Sequence, residues 1–267
     1  RFRHSFPTRR SSDLQKITAI DVNLGCSGFV TGLSLAKAVI VSGQANNVLL
    51  LTAETYSKYM HERDKSNRTI FGDGAAATLV STEGIARIGN FVIGTDGTGA
   101  ENLIVKTGCA RNPKPLNDLK FDDYDNPRSS DNLYMDGPAI LNYSLESIPQ
   151  LFKDVLDKNG EEKDGIDLHV YHQANIFLAN LERRKLKIAP EKYYVNISKV
   201  GNTVSSTIPI ALCRAMEDGS LKQGMKVLSM AQGLGYTWGG MVLYFSFMIQ
   251  MKRFINELMT SNCYIVW

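Results

Sequence analysis

Two stretches of this chain repeat one order of elements. The first, "DVNLGCSGFVTGLSLAKAVIVSG…NNVLLLTAE…FGDGAAATLVS", starts at Asp21. The second, "YVNISKVGNTVSSTIPIALCRAMEDG…MKVLSMAQGLGYTWGGMVLYF", starts at Tyr194. Each reads as a strand ending in Val-Asn, a loop, a helix, a buried strand, a Gly-rich turn and a further strand. Such a duplication constrains the fold more than any single residue does. It calls for two α/β halves of like topology that can pack about a pseudo-twofold axis. Cys26 and Asn202 take equivalent places at the N-terminal ends of equivalent helices, so both can face one central site. The length of 267 residues suits one large domain or two modest ones.

Residues 17–23 ("ITAIDVN") read as a short strand, and 26–42 as a helix that is apolar nearly all round, kept slim by Gly28, Gly32, Ala36 and Ala38. Strands are expected over 46–54, within 71–81 after a Gly turn, and over 88–95. The Pro-, Asn- and Asp-rich stretch 108–131 reads as a long excursion. A helix follows over 138–158, closed by Asn159-Gly160. Then come a strand at 166–173, a helix at 175–186 with Asn175 as N-cap, and a strand at 192–198. A helix at 203–219 holds Pro209 either at a kink or in its first turn. Strands at 225–233 and 239–247 complete the pattern.

The first fourteen residues, "RFRHSFPTRRSSDL", stand apart. They lack the apolar core of a secretory signal and look like a translated sequencing-adapter remnant rather than part of a fold. They carry four of the 30 bases and one of the 27 acids, so the formal charge of +3 belongs to them and the remainder is balanced. That balance gives no reason to expect a nucleic-acid partner. No apolar run is long enough to read as a membrane span. Cys26, Cys109, Cys213 and Cys263 are scattered with no C-x-x-C spacing, which argues against a zinc or redox pair and makes a reducing cytoplasm the expected compartment.

Three polar groups fall where α/β folds place chemistry. Cys26 lies between Gly25 and Gly28, just before a helix, where orphan N–H groups and the helix dipole favour a thiolate and could hold an oxyanion. A structural cysteine fits the same place. His172, in "VYHQANIF", sits where an apolar strand ends; it could equally be a structural histidine. Asn202, in "VGNTVSSTIPIAL", presents a carboxamide after Gly201, although Asn202 or Thr203 could simply cap the helix. Taken together, Cys, His and Asn at strand ends suggest a covalent acyl-transfer site.

The ordered set "DVNLGCSGFVTGL", "FGDGAAATL", "HQAN", "VGNTVSSTIPIAL" and "GLGYTWGG" resembles the 3-oxoacyl-[acyl-carrier-protein] synthase III family of the thiolase-like superfamily, over roughly 17–102 and 135–245. The resemblance implies an α/β fold of two related halves in α-β-α-β-α layers, with the N-terminal half incomplete because the family's opening block is absent here. It implies that Cys26 takes an acyl group from acyl-CoA. His172 and Asn202 would then hydrogen-bond a malonyl thioester carbonyl as CO₂ leaves. The backbone N–H groups of Cys26 and Leu234 would form the oxyanion hole, and Asn175 would contact pantetheine. It further implies acyl carrier protein and CoA thioesters as substrates, a homodimer, and no metal or redox cofactor. Leu234 stands where the family usually has Gly, and Ala76 where Gly is common.

The divisions expected are 1–14 (adapter-like), 15–107 (the remaining N-terminal half), 108–134 (the excursion), 135–247 (the C-terminal half) and 248–267. That last tail is either a helix with Phe247, Met251, Phe254, Ile255 and Leu258 on one face or read-through. Two rival readings stay open: an acyltransferase or quinolone/polyketide-type condensing enzyme with another acceptor, and an inactive, unstable fragment with exposed sheet edges. Of the remaining polar residues, His169 is expected in a strand and His61 on a surface. Asp73 is expected in turn chemistry, Glu182 to Lys185 on a solvated helix face and Trp238 in the core.

Overall fold

The structure is a computed structural model that describes residues 16–233, 235–245 and 264–266. The adapter-like segment, Leu234 and most of the 248–267 tail lie outside the described residues.

Helix α1 (Gly28–Val41) is the hub. It is apolar on most faces, and two glycines fix where it packs. A Cβ on Gly32 would lie 2.7 Å from Leu50 of strand β1 (Asn47–Glu54). A Cβ on Gly239 would lie 2.8 Å from Val30 of α1, so α1 also presses on the strand carrying Gly239, β6 (Thr237–Phe245). A second buried helix, α4 (Thr207–Glu217), shares this core through Ile208, Ala211, Leu212 and Ala215, and Ile210 meets Gly74 of β2 (Gly74–Ser81). The outer face of β6 is covered by α2 (Gly137–Asn159): a Cβ on Gly240 would lie 2.4 Å from Val155, and adjacent strand residues point to opposite faces. Helix α3 (Ile176–Lys185) packs beside α2.

Apart from two short two-stranded ribbons, the described strands form one seven-membered sheet in the order β1-β2-β7-β3-β6-β5-β4, with β3 at Ala86–Thr95, β4 at Leu168–His169, β5 at Lys226–Gly233 and β7 at Tyr264–Val266. Neighbours are antiparallel except β4, which runs parallel to β5. Because α1 packs on both β1 and β6, the sheet passes on both sides of the α1/α4 pair. The described residues thus stack as α2/α3, then β3-β6-β5-β4, then α1/α4, then β1-β2. The three residues of β7 join the two parts of the sheet by pairing with Ser81, Val80 and Leu79 on one side and Arg87 and Ala86 on the other.

Most expected elements are found, including closure of α2 by Gly160 in the left-handed conformation (φ 65°) and Pro209 in the first turn of α4. Three expectations fail. Residues 17–23 form no strand and leave Ile17, Ile20 and Val22 exposed, since no neighbouring strand offers them a ladder. Residues 192–198 contribute only a single bridge, His169 to Tyr193, before the chain turns into one helical turn at Ile197–Val200. Strand β1, expected to be buried, has only Thr52 buried; the expected tail-helix positions Phe247, Met251, Phe254, Ile255 and Leu258 lie outside the described residues, and 264–266 form strand β7. The 108–131 stretch is held by carboxylates accepting backbone N–H groups, such as Asp131 from Leu116 and Asn117.

Candidate active site

The two halves meet backbone to backbone. Asn202 N–H donates to Ile70 O at 2.8 Å, and Gly72 N–H donates to Asn202 O at 3.0 Å. Only glycine fits here: Gly201 has φ 69°, and a Cβ on Gly72 would lie 2.1 Å from Val200 O. This seam places Asn202. Its Oδ1 accepts the Val204 N–H at 2.9 Å, and because that N–H can only donate, the carboxamide must present its NH₂ end elsewhere. Val204 itself is fully buried with φ 56°, a conformation that costs a β-branched residue energy and that clusters at functional sites.

Cys26 sits in the turn before α1, closed by the Gly28 N–H to Gly25 O bond at 2.8 Å. Ser27 Oγ lies 2.7 Å from Thr237 Oγ1, and a Cβ on Gly233 would crowd both hydroxyls, so the β5–β6 turn comes down directly on the cysteine turn. His172 follows β4, and its N–H donates to Met230 O at 2.8 Å, extending the ladder past the assigned strand. Its Nδ1 lies 2.7 Å from Thr207 Oγ1 at the start of α4.

Cys26, His172 and Asn202 line one cavity of about 180 Å³, together with Asn175 and apolar side chains such as Phe71, Ile140 and Met230. Asn175 caps α3 as expected, its Oδ1 accepting the Leu178 N–H at 2.8 Å. Leu234 lies outside the described residues. Among the described residues no cluster of three or more His, Cys, Asp or Glu has a metal-binding arrangement, and no helix is long and apolar enough to cross a membrane.

Electrostatics correct one expectation. Burial first and the nearby Glu54 carboxylate second push the Cys26 thiol up to about 12, only partly opposed by its backbone hydrogen bond. Desolvation therefore outweighs the helix terminus, and the resting group is a thiol. Burial holds His172 down to about 4, against an opposing hydrogen bond with the Val204 backbone, so the imidazole is neutral. The Thr207 hydroxyl has two acceptors in reach: His172 Nδ1 at 2.7 Å and Val204 O at 3.0 Å. When it donates to Nδ1, the proton sits on Nε2 and that nitrogen becomes a donor.

Sequence reasoning missed Glu54 and Thr207. Glu54 ends β1, accepts Ser205 Oγ–H, and is itself pushed up by burial. Its signal is an acid at the end of a strand, a position like that of His172. Sequence reasoning also misplaced Glu182, which is buried rather than solvated. Asp73 does serve turn chemistry, accepting from Ser57, and His169 is a buried strand residue.

Residues 20–97 match the family described as "3-Oxoacyl-[acyl-carrier-protein (ACP)] synthase III", and residues 156–245 match its C-terminal counterpart. The beta-ketoacyl-[acyl-carrier-protein] synthase III of Caldanaerobacter subterraneus is 32% identical over 230 residues, covering 85% of this chain and 67% of that protein. A solved 3-oxoacyl-(acyl-carrier-protein) synthase III is 47% identical with a TM-score of 0.83, covering 86% of this chain and 70% of its own. The Aquifex aeolicus enzyme of the same name is 33% identical with a TM-score of 0.71, covering 86% and 68%.

Proposed function

The chain belongs to the 3-oxoacyl-[acyl-carrier-protein] synthase III family, and from that premise we propose that it is an acyltransferase of fatty acid biosynthesis that condenses an acyl group with a malonyl thioester. The observation that carries this reading is the presence of Cys26, His172 and Asn202 in the wall of one cavity.

In the first half-reaction the Cys26 sulfur attacks the thioester carbonyl of acyl-CoA. Because the thiol rests protonated, its proton leaves as the C–S bond forms, and the CoA sulfur departs as thiol once protonated. The backbone N–H of Cys26 supports the oxyanion. In the second half-reaction malonyl-carrier protein loses CO₂, and the electron pair of the breaking C–C bond moves into the thioester to give an enolate. The Asn202 NH₂ donates to that oxygen, and so does His172 Nε2–H when the Thr207 hydroxyl donates to Nδ1. The enolate carbon then attacks acyl-Cys26 and the cysteine sulfur is expelled, giving the 3-oxoacyl thioester and the free enzyme. No step calls for a metal or redox group.

Acyl carrier protein is the acceptor's carrier in this reading, and the protein acts in the cytoplasm. A homodimer is favoured by the edge position of β1 and its outward Leu49 and Leu51. The test is intact-protein mass spectrometry after incubation with acyl-CoA: the wild type gains one acyl group and Cys26→Ala gains none. His172→Ala and Asn202→Ala are expected to lose malonyl-thioester decarboxylation by at least about 100-fold while self-acylation falls less. An adduct that persists in Cys26→Ala, or equal loss of both half-reactions, contradicts the assignment.

A further inference from the structure

The first half-reaction leaves one role unfilled: the group that takes the Cys26 thiol proton. The resting group is a thiol, so a base must remove its proton as the sulfur attacks. His172 is poorly placed to do so. Its Nδ1 faces Thr207 Oγ1 at 2.7 Å, and in the tautomer that serves the enolate its Nε2 already carries the proton. Among the described residues, Glu54 is the one charged group that acts on the Cys26 thiol, and the reaction above does not use it.

Two short segments clamp the cysteine turn and bring Glu54 to it. On one side is the turn Val204–Ser206, just ahead of α4. A Cβ on Gly28 would lie 3.3 Å from Ser205 Cβ, and one on Gly25 would lie 3.7 Å from Val204 Cγ1. The same turn is tied to the end of β1: Ser205 Oγ–H donates to Glu54 Oε1 at 2.5 Å, and Ser206 Oγ–H donates to Thr52 Oγ1 at 2.9 Å. Tyr56, just past β1, closes the other side. Its hydroxyl would lie 3.7 Å from a Cβ on Gly25, and its ring stacks at 5.0 Å on Phe71 of the cavity wall. Gly25 and Gly28 bracket Cys26, so thiol, carboxylate and phenol form one cluster. Burial, then the charges of Cys26 and Glu54, raise the Tyr56 hydroxyl, which therefore stays protonated. No ion pair among the described residues includes Glu54. Burial raises its carboxyl, and the hydrogen bonds from Ser205 oppose that rise.

We propose that Glu54 is the proton acceptor of the self-acylation step, taking the Cys26 thiol proton through one bridging water and returning it to the departing CoA sulfur. The claim rests on the acyl-enzyme reading above. No direct hydrogen bond joins Cys26 to Glu54, so one water carries the proton between them. As the S–H bond breaks, its electron pair forms the new C–S bond to the acyl carbonyl and the proton passes to the Glu54 carboxylate. When the tetrahedral intermediate collapses, the electron pair of the old C–S bond goes to the CoA sulfur. Glu54 returns the proton to that sulfur, CoA leaves as the thiol, and the carboxylate is restored. Charge favours this route. A thiolate beside an ionised Glu54 would hold two negative charges in a buried cluster with no cation paired to it. One proton held by either the sulfur or the carboxylate keeps a single charge throughout. A carboxyl raised by burial is also a stronger base than an exposed one.

The experiment follows Cys26 acylation by intact mass over time and against pH, with limiting saturated acyl-CoA thioesters of increasing length. In the wild type the rate should fall about tenfold per pH unit below the Glu54 value and level off above it. Glu54→Gln should slow acylation at pH 7 by at least about 100-fold and lose the plateau, its rate climbing with pH as hydroxide takes the proton. Malonyl-thioester decarboxylation should fall less than acylation in that variant, which a merely structural role would not allow. Glu54→Asp should recover part of the rate and keep a plateau, and His172→Ala should keep the shape of the wild-type profile. The inference is overturned if Glu54→Gln acylates at the wild-type rate or faster, the result expected if Glu54 only repels a thiolate. It is also overturned if both half-reactions fall equally, or if His172→Ala rather than Glu54→Gln loses the plateau. Should Glu54→Gln not fold, Glu54→Asp carries the test, and a lost plateau there overturns the inference. Failure of every thioester to label wild-type Cys26 would overturn the acyl-enzyme reading as well, whereas labelling with an unchanged profile in Glu54→Gln overturns this inference alone.

Discussion

Strands β1 and β5 are both eight residues long and both end beside the cavity, yet they are held very differently. In β5, Val227 to Ala231 are all buried, because α2 covers one face and α1/α4 the other. In β1 only Thr52 is buried, because α1 covers one face and the other is open among the described residues. Of the groups proposed for the enolate, His172 is fixed to β5 through Met230 O and to α4 through Thr207, while Asn202 is held by the seam to Ile70 and Gly72. The nucleophile is fixed to α1, which must hold itself against both a tightly packed strand and a loosely packed one. The site is therefore built at a boundary between a rigid half and a softer half, and the seam at Gly72 and Gly201 keeps them in register.

The most direct way to break this comparison is to delete the same side chain from both halves. Leu243 on β6 is fully buried and Leu49 on β1 is 59% exposed. Leu243→Ala should cost about 2–5 kcal/mol through lost burial and the cavity left behind. Leu49→Ala should stay within about 0.5 kcal/mol. Chemical denaturation of both variants gives the two values, and similar losses would show that the halves are equally packed.

A smaller effect sharpens the role of the seam. Gly201 (φ 69°) and Gly219 (φ 77°) both have positive φ, but a Cβ on Gly201 would lie 3.1 Å from Ile70 O while one on Gly219 meets nothing within 4 Å. Alanine at either should cost about 1–3 kcal/mol from the backbone alone. Only Gly201→Ala should also displace Asn202 and depress malonyl decarboxylation. If Gly219→Ala depresses it equally, the seam does not position Asn202.

How much of this was legible in the sequence follows the same division. The helices and the long strands could be read because apolar period and Gly punctuation are local signals. The convergence of Cys26, His172 and Asn202 could be read because the duplication and the family motifs carry long-range information that periodicity lacks. Residues 17–23 misled because alternation of apolar residues states what a strand would bury, not whether a partner strand is present. The charge run Glu182 to Lys185 suggests a solvated face, although the spacing of Glu182 from Leu178 and Leu186 puts it on the buried one. The raised thiol of Cys26 could not be read at all, because desolvation depends on what the rest of the chain packs around it.

The smallest expected effect tests the polar contacts that tie the halves together. Ser205 Oγ–H, just ahead of α4, donates to Glu54 Oε1 at the end of β1. Ser205→Ala removes one hydrogen bond to a charged or chargeable group, worth about 0.5–1.5 kcal/mol. Its pH dependence has a definite sign. Burial raises the Glu54 carboxyl in the folded protein, and the Ser205 bond opposes that rise. A raised acid contributes stability that is fully present below its unfolded value and lost as pH rises through the folded one. Without Ser205 the folded value climbs further, so the variant should fall further behind the wild type near pH 7 than at pH 4, where both states are largely protonated. The same change leaves less negative charge beside Cys26, whose thiol Glu54 holds up. Cys26 alkylation by iodoacetamide, followed against pH, should therefore shift slightly toward lower pH in Ser205→Ala. A shift toward higher pH, or a stability difference that does not vary with pH, would mean that Glu54 does not couple the edge of the soft half to the nucleophile.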